Sequence, residues 1–180
     1  MPSTVLSPAG FFGKIPAAGD FVSWNLPRAF TDRWDRWMSR DLLDHPSRGP
    51  LDPRAWRFIV PAGIFCDQPA AGVWRMSEDR AGRRYPFVIA RLGPVPDPGT
   101  LWFEALANAL NDVVERYFDQ AWLTDRLNHL EAAEGAPGYQ GRIRFWLDDW
   151  EVQEFEFDDV YDLAQTGLSR MRSPRAKTTA

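Results

Sequence analysis

Residues that carry out chemistry are scarce in this chain. Of 180 residues only one is cysteine, Cys66, and two are histidine, His45 and His129. A single cysteine excludes an intrachain disulfide, and nothing points to an oxidising compartment. The paired Cys and His spacings that zinc uses are missing as well. No acid–histidine–nucleophile pattern surrounds either histidine. Long apolar runs are also lacking. The longest, WRFIVPAGIFC, holds a proline and an arginine and falls well short of the roughly 20 residues that a membrane span needs. The opening stretch MPSTVLSPAG has neither a basic nor an apolar region of the signal-peptide kind. Nor is there an excess of base: the formal charge is −4, which removes the electrostatic basis of general nucleic-acid binding. These absences lead us to expect a cytoplasmic protein with no cofactor or metal, no membrane insertion and no nucleic-acid partner.

What the chain has in quantity is aromatic. Nine tryptophans and twelve phenylalanines predict a large core with rings left over for an interface, because aromatics bury the most area per residue. The length suits one domain. We expect a flexible segment over 1–9, a single domain over 10–170 and a basic, disordered tail over 171–180.

Hydrophobic periodicity orders the elements. A strand is expected in GFFGKI. A helix is expected over 25–45, capped by Asn25, with Pro27 in its first turn and Phe30, Trp34, Trp37, Met38 and Leu42 at helical spacing. Strand candidates at 55–65, 70–77 and 84–93 are joined by short connections, which favours antiparallel neighbours. An amphipathic helix over 101–118 places Trp102, Leu106, Ala109, Leu110, Val113 and Tyr117 on one face. A second helix follows through Leu123, Leu127 and Leu130, with Gly135 as a stop. RIRFWL (142–147) and WEVQEFEF (150–157) read as a hairpin turned by Asp148 and Asp149, and 158–171 as a short last helix. The class is α+β: a single mostly antiparallel sheet of about five to seven strands, flanked by α-helices.

Three stretches invite a chemical reading. In GFFGKIPAAGDFV (10–22) a Gly-Lys pair suggests a phosphate loop, but the spacing denies it. A Walker loop has four residues between its glycines and a Ser or Thr after the lysine; here two phenylalanines separate Gly10 from Gly13, and Ile15 follows Lys14. A structural turn is the better reading. Cys66 ends an apolar strand candidate and reads as a small buried hydrophobe, with a Cys–His pair as the alternative. The eight acids of 148–162 alternate with aromatics, as on the solvated face of an edge strand, or on a docking surface for a basic partner.

In MSEDRAGRRYPF (76–87), Asp79, Arg80, Arg83 and Arg84 surround Gly82. Asp79 paired to an arginine would fix this turn, while another arginine reaches a carboxylate elsewhere, with Asp20 the obvious candidate. Contact with a partner, or binding of a small anion through the guanidinium forks, are the alternatives.

Together these stretches resemble the signature of the TagF (ImpM) family of type VI secretion accessory proteins. That family opens with Gly-Φ-Φ-Gly-Lys-Leu-Pro-x-x-Gly-Asp-Phe-Val, where Φ is apolar, and 10–22 match with Ile15 in place of leucine. LPRAFTDRWDRW (26–37) is similar to the family's Leu-Pro-x-x-Phe-x-x-x-Trp-Asp-x-Trp, and Trp56, Arg57 and Phe58 to its Trp-Arg-Phe. The family's Pro-Ser-x-Asp-Arg-x-Gly-Arg-x-Phe-Pro-Leu block corresponds to 76–87, with Met76, Tyr85 and Phe87 departing from it. The resemblance covers roughly 10–92 and leaves the second half without a motif.

The resemblance implies a regulator and not an enzyme: a bacterial post-translational repressor of type VI secretion assembly or firing. Its partners would be type VI secretion components, the forkhead-associated scaffold protein among them. The length leaves no room for the PP2C-like phosphatase to which such proteins are sometimes fused. Lys14, Asp20, Phe21, Trp24, Asp79, Arg80 and Arg83 are the residues expected to bind a partner or to hold the motif loops together. A small anion- or phosphometabolite-binding module, or a structural subunit of the secretion apparatus, are the competing readings.

Overall fold

The computed structural model describes residues 8–43, 53–147 and 154–157. The expected turn at Asp148–Asp149, the last helix, the basic tail and His45 lie outside the described residues.

Seven strands form one sheet: β1 (Gly10–Gly13), β2 (Val22–Trp24), β3 (Trp56–Val60), β4 (Ala70–Glu78), β5 (Arg84–Leu92), β6 (Ile143–Leu147) and β7 (Glu154–Phe157). Their order across the sheet is β2-β1-β5-β4-β3-β6-β7, and every pairing is antiparallel. The meander β3-β4-β5 is the centre. The β1–β2 hairpin extends it on one side and the β6–β7 hairpin on the other.

Three helices cover the sheet: α1 (Arg28–Leu43), α2 (Leu101–Glu115) and α3 (Gln120–Asn128). The chain leaves β2 at one edge and returns to β3 through α1. It leaves β5 and returns to β6 through α2 and α3. These two crossings lie on opposite faces, and each builds its own core. On one face Phe30, Trp34, Trp37 and Met38 of α1 meet Phe58, Trp74, Val88 and Phe145. On the other, Trp102, Phe103, Leu106 and Leu110 of α2, with Leu123 and Leu127 of α3, meet Phe11, Ile59, Val73, Phe87 and Ile89. Strand alternation sends neighbours such as Phe58 and Ile59 to opposite cores. A strand covered on both faces must be apolar throughout, which is why all of β3 is buried.

The structure corrects four local expectations. The strand expected to run to residue 65 stops at Val60 and becomes a turn closed by Gly63 N–H donating to the Cys66 carbonyl at 2.6 Å. Asn25 does not cap α1. It sits at φ 53° and its Nδ2 donates to the Pro8 carbonyl at 2.8 Å, while the Pro27 carbonyl accepts from Phe30 N–H and Thr31 N–H. Helix α2 ends at Glu115, and Tyr117, expected on its buried face, is 64% exposed at φ 62°. Helix α3 ends at Asn128, well before Gly135. The loop beyond it is tied to the sheet by buried Arg91, which donates to the carbonyls of Ala133 (2.9 Å) and Pro94 (2.7 Å) and lies 4.8 Å from the Trp102 ring. Cys66 is buried as expected, and its Sγ donates to the Gln68 carbonyl at 3.4 Å.

Candidate functional site

The two motif stretches meet at one corner of the sheet, where β1 passes through a turn into β2 and the β4–β5 hairpin reverses. Close backbone approach makes Gly13 necessary. It lies at φ 133°, and a Cβ there would run into the Pro86 carbonyl of the neighbouring β5. After it, the chain bends through 15–18, closed by Ala18 N–H donating to the Ile15 carbonyl at 3.1 Å. On the facing hairpin Gly82 takes φ 78°, the left-handed conformation that lets a short loop match the strand twist.

Asp79 is the hub. Its carboxylate is fully buried, and every acceptor position faces a donor. Oδ1 accepts from Ala81 N–H (2.9 Å) and Arg83 N–H (3.0 Å), which fixes the hairpin tip. Oδ2 accepts from Arg83 Nε (2.7 Å) and from Lys14 Nζ (3.0 Å). The Lys14 bond joins residues 65 positions apart and turns a local loop into a tertiary clamp. Burial by itself raises the carboxyl's pKa, but the Arg83 N–H, the Lys14 ammonium, the Arg83 guanidinium and the Ala81 N–H together outweigh it. They hold Asp79 well below the usual carboxylate range.

The arginines grip the opposite turn by its backbone. Arg80 donates from its side chain to the Ala17 carbonyl and from its N–H to the Ala18 carbonyl (2.8 Å). Arg83 Nη2 donates to the Gly19 carbonyl at 2.8 Å. The expectation that an arginine reaches Asp20 is therefore corrected. Guanidinium forks suit carbonyls presented by a tight turn, and the acid that balances the corner is Asp79, whose tertiary partner is Lys14. Asp20 is exposed and accepts from its own neighbour, Phe21 N–H, at 2.8 Å. The expected Asp79–arginine pair is present, with Arg83.

Phe21 projects from this locked turn, 45% exposed. Its ring meets Tyr85 edge-on at 4.7 Å and stacks on Phe12 at 5.6 Å, with the Lys14 ammonium 5.1 Å from its centroid. Trp24, also expected here, lies at the far end of β2, half-buried against the second core and 5.9 Å from Phe11. Sequence reasoning passed over Tyr85, Phe12 and Asp35. The Tyr85 hydroxyl donates to Asp35 of α1 at 2.8 Å, so burial and then the neighbouring carboxylate push its pKa far above the ordinary phenol value. Tyr85 thereby braces the corner against α1. The departure from phenylalanine at this position was the available signal, since a buried hydroxyl needs a partner.

The other candidate chemistries find different surroundings. Burial raises the Cys66 thiol pKa, and His129 is exposed at the end of α3, its Nδ1 2.8 Å from the Asp125 carbonyl. Among the described residues no group of three or more His, Cys, Asp or Glu is gathered as a metal site, and no helix is long and apolar enough to cross a membrane.

No curated protein matches the chain. Among solved structures it is similar to PA0076 from Pseudomonas aeruginosa PAO1, with a TM-score of 0.65 and 21% identity over 96% of this chain and 97% of that one. At that identity the likeness establishes the shared fold. The family match is to the TagF N-terminal domain, described as type VI secretion system-associated, over residues 10–130. That match takes in both halves of the clamp, Lys14 and Asp79, and two thirds of the sequence, so the chain belongs to the TagF N-terminal domain family, associated with type VI secretion.

Proposed function

We propose that this protein is a non-enzymatic regulator that represses type VI secretion post-translationally, by holding a secretion component through direct contact. The forkhead-associated scaffold protein is the first candidate for that component. One observation carries the reading: the corner spends its buried charges on making a rigid turn, and what the turn presents to solvent is an acid and an aromatic ring. Asp79, Lys14 and Arg83 satisfy one another, so the charge of the motif serves to position Asp20 and Phe21. A ring held still before contact loses little freedom on binding, and aromatic anchors of that kind dominate interface energies. The cytoplasm is where such a component would be met.

The test separates contact from stability. A Phe21→Ala chain should keep its melting temperature within a few degrees, because nearly half of the ring is already in water. In a strain that lacks the chromosomal copy it should fail to repress secretion of a type VI substrate. Full repression by the folded variant would overturn the reading, as would repression lost only in proportion to protein level.

A further inference from the structure

Charge is distributed unevenly around α1. Arg33, Arg36 and Arg40 are exposed and recur at i, i+3 and i+7, so they form one row along the helix. Trp37 meets Phe145 of β6 at 5.6 Å, whereas Asp35 accepts from Tyr85 of β5. The row turns with Trp37 and away from Asp35, and so lies on the β6 side of α1. Like charges one turn apart oppose each other and weaken a helix, so the row gains from a counter-charge.

Among the described residues none supplies it. Asp32 pairs with Arg28 at 3.5 Å, and Asp35 accepts from Tyr85 and Ser39 on the far flank. Asp67 is exposed on the turn that follows β3 and forms no ion pair with a described residue. Arg33 donates to the Gly63 carbonyl of that turn at 3.0 Å. Arg36 and Arg40 have no carboxylate partner among the described residues.

The sheet brings acid to this flank. Arg144 lies opposite Ile59 and Phe157 opposite Ile143, so the chain leaves β7 level with Val60 and two strands, about 10 Å, away from it. The turn that holds Arg33 begins directly after Val60. Asp158, Asp159 and Asp162, outside the described residues, come next in the sequence, and five residues can span about 17 Å.

We infer that the acidic stretch 158–162 is a strap for α1. Its carboxylates seat on Arg33, Arg36 and Arg40, and while it is closed those arginines are withheld from any other acidic surface. Pairs so exposed are screened by salt, so the strap loosens as ionic strength rises. Phe21 packs on the β5 side, and the strap stands apart from the contact reading above.

Charge swaps in the full chain test it. Asp158→Lys, Asp159→Lys and Asp162→Lys together should lower the melting temperature by about 5 °C at low salt. Arg33→Glu, Arg36→Glu and Arg40→Glu together should do the same. A chain with both sets should regain most of the loss, and about 1 M salt should erase the differences. The arginine Nε–Hε NMR signals give a second readout. The milder Asp158→Asn, Asp159→Asn and Asp162→Asn set should shift those of Arg33, Arg36 and Arg40 and leave the amides of α2 in place. The inference falls if the two sets add their losses where they should cancel. It falls equally if the arginine signals ignore the Asn set, which would leave the row open to a partner. Dependence of the recovery on protein concentration would also overturn it, by placing the acids of one copy on the arginines of another.

Discussion

A Trp34→Ala protein is expected to lose about 3–5 kcal/mol of folding stability, the range for emptying a large aromatic site. Trp34 is fully buried. Its ring lies 5.2 Å from Phe65, 5.3 Å from Trp37, 5.6 Å from Phe58 and 6.0 Å from Phe30, so the cavity opens where α1 rests on the sheet. Rigid rings on every side cannot collapse into it as flexible aliphatic chains would. A domain of ordinary stability, about 5–15 kcal/mol, would keep little margin. Urea denaturation should show a lower midpoint with an unchanged slope. Trp34→Phe supplies the contrast. The indole Nε1 is buried without a hydrogen-bond partner among the described residues, so phenylalanine keeps much of the packing and removes an unsatisfied donor. It should cost less than half as much as alanine. Equal losses would mean that something specific to the indole, and not the size of the cavity, governs this site.

The same face shows why so much of the fold was legible in the sequence. Phe30, Trp34, Trp37 and Met38 recur at helical spacing because one side of α1 faces a sheet, and period alone reveals that. The meander was legible because its connections are too short for a parallel crossover. Strand β2 was not. Three residues, of which only Val22 is buried, leave no pattern to detect, and their identity as a strand depends on β1 lying alongside. The end of α2 failed for a related reason. Tyr117 continues the apolar period, but the helix has already stopped two residues earlier, and periodicity carries no information about where backbone hydrogen bonding ends.

At the corner, the residue types were legible and the pairing only in part. Asp79, Arg80, Arg83, Lys14 and Asp20 were all singled out, and opposite charges invite matching by proximity of motifs. The geometry kept Asp79 with Arg83 as expected, but added Lys14 from across the sheet and gave Arg80 and the other arm of Arg83 to the backbone carbonyls of Ala17 and Gly19 in place of Asp20. Carbonyls exist at every residue, so a guanidinium destined for one leaves no trace in sequence. Asp20, left with only its neighbour's N–H, follows from the same rearrangement, and its exposed carboxylate beside the Phe21 ring is what makes the corner a candidate contact surface.

Removing Lys14 should show what the clamp contributes. Lys14→Met keeps the apolar stem and deletes the ammonium, leaving the Asp79 carboxylate buried with one cation in place of two. Breaking a buried pair from one side strands the remaining charge, and the melting temperature should fall by on the order of 10 °C. Asp79→Asn should fall comparably, because the amide still accepts from the Ala81 and Arg83 N–H groups but no longer answers the ammonium. The double variant should fall by clearly less than the two singles combined, the mark of a shared interaction. Acid gives an independent check. A carboxylate whose folded pKa is depressed contributes its full stabilisation above the unfolded value, about 4, and loses it as pH falls further toward the folded value. The gap in stability between the natural chain and Asp79→Asn should therefore be constant from pH 7 to about 5 and close progressively below pH 4. A gap that persists unchanged at pH 2 would place the effect of Asp79 in its shape and not its charge. Function should separate along the same line. Lys14→Met should lose repression together with stability and regain part of it when the protein is assayed at lower temperature, whereas Phe21→Ala should lose repression at any temperature at which the chain is folded. The clamp and the ring would then be distinguished as support and contact.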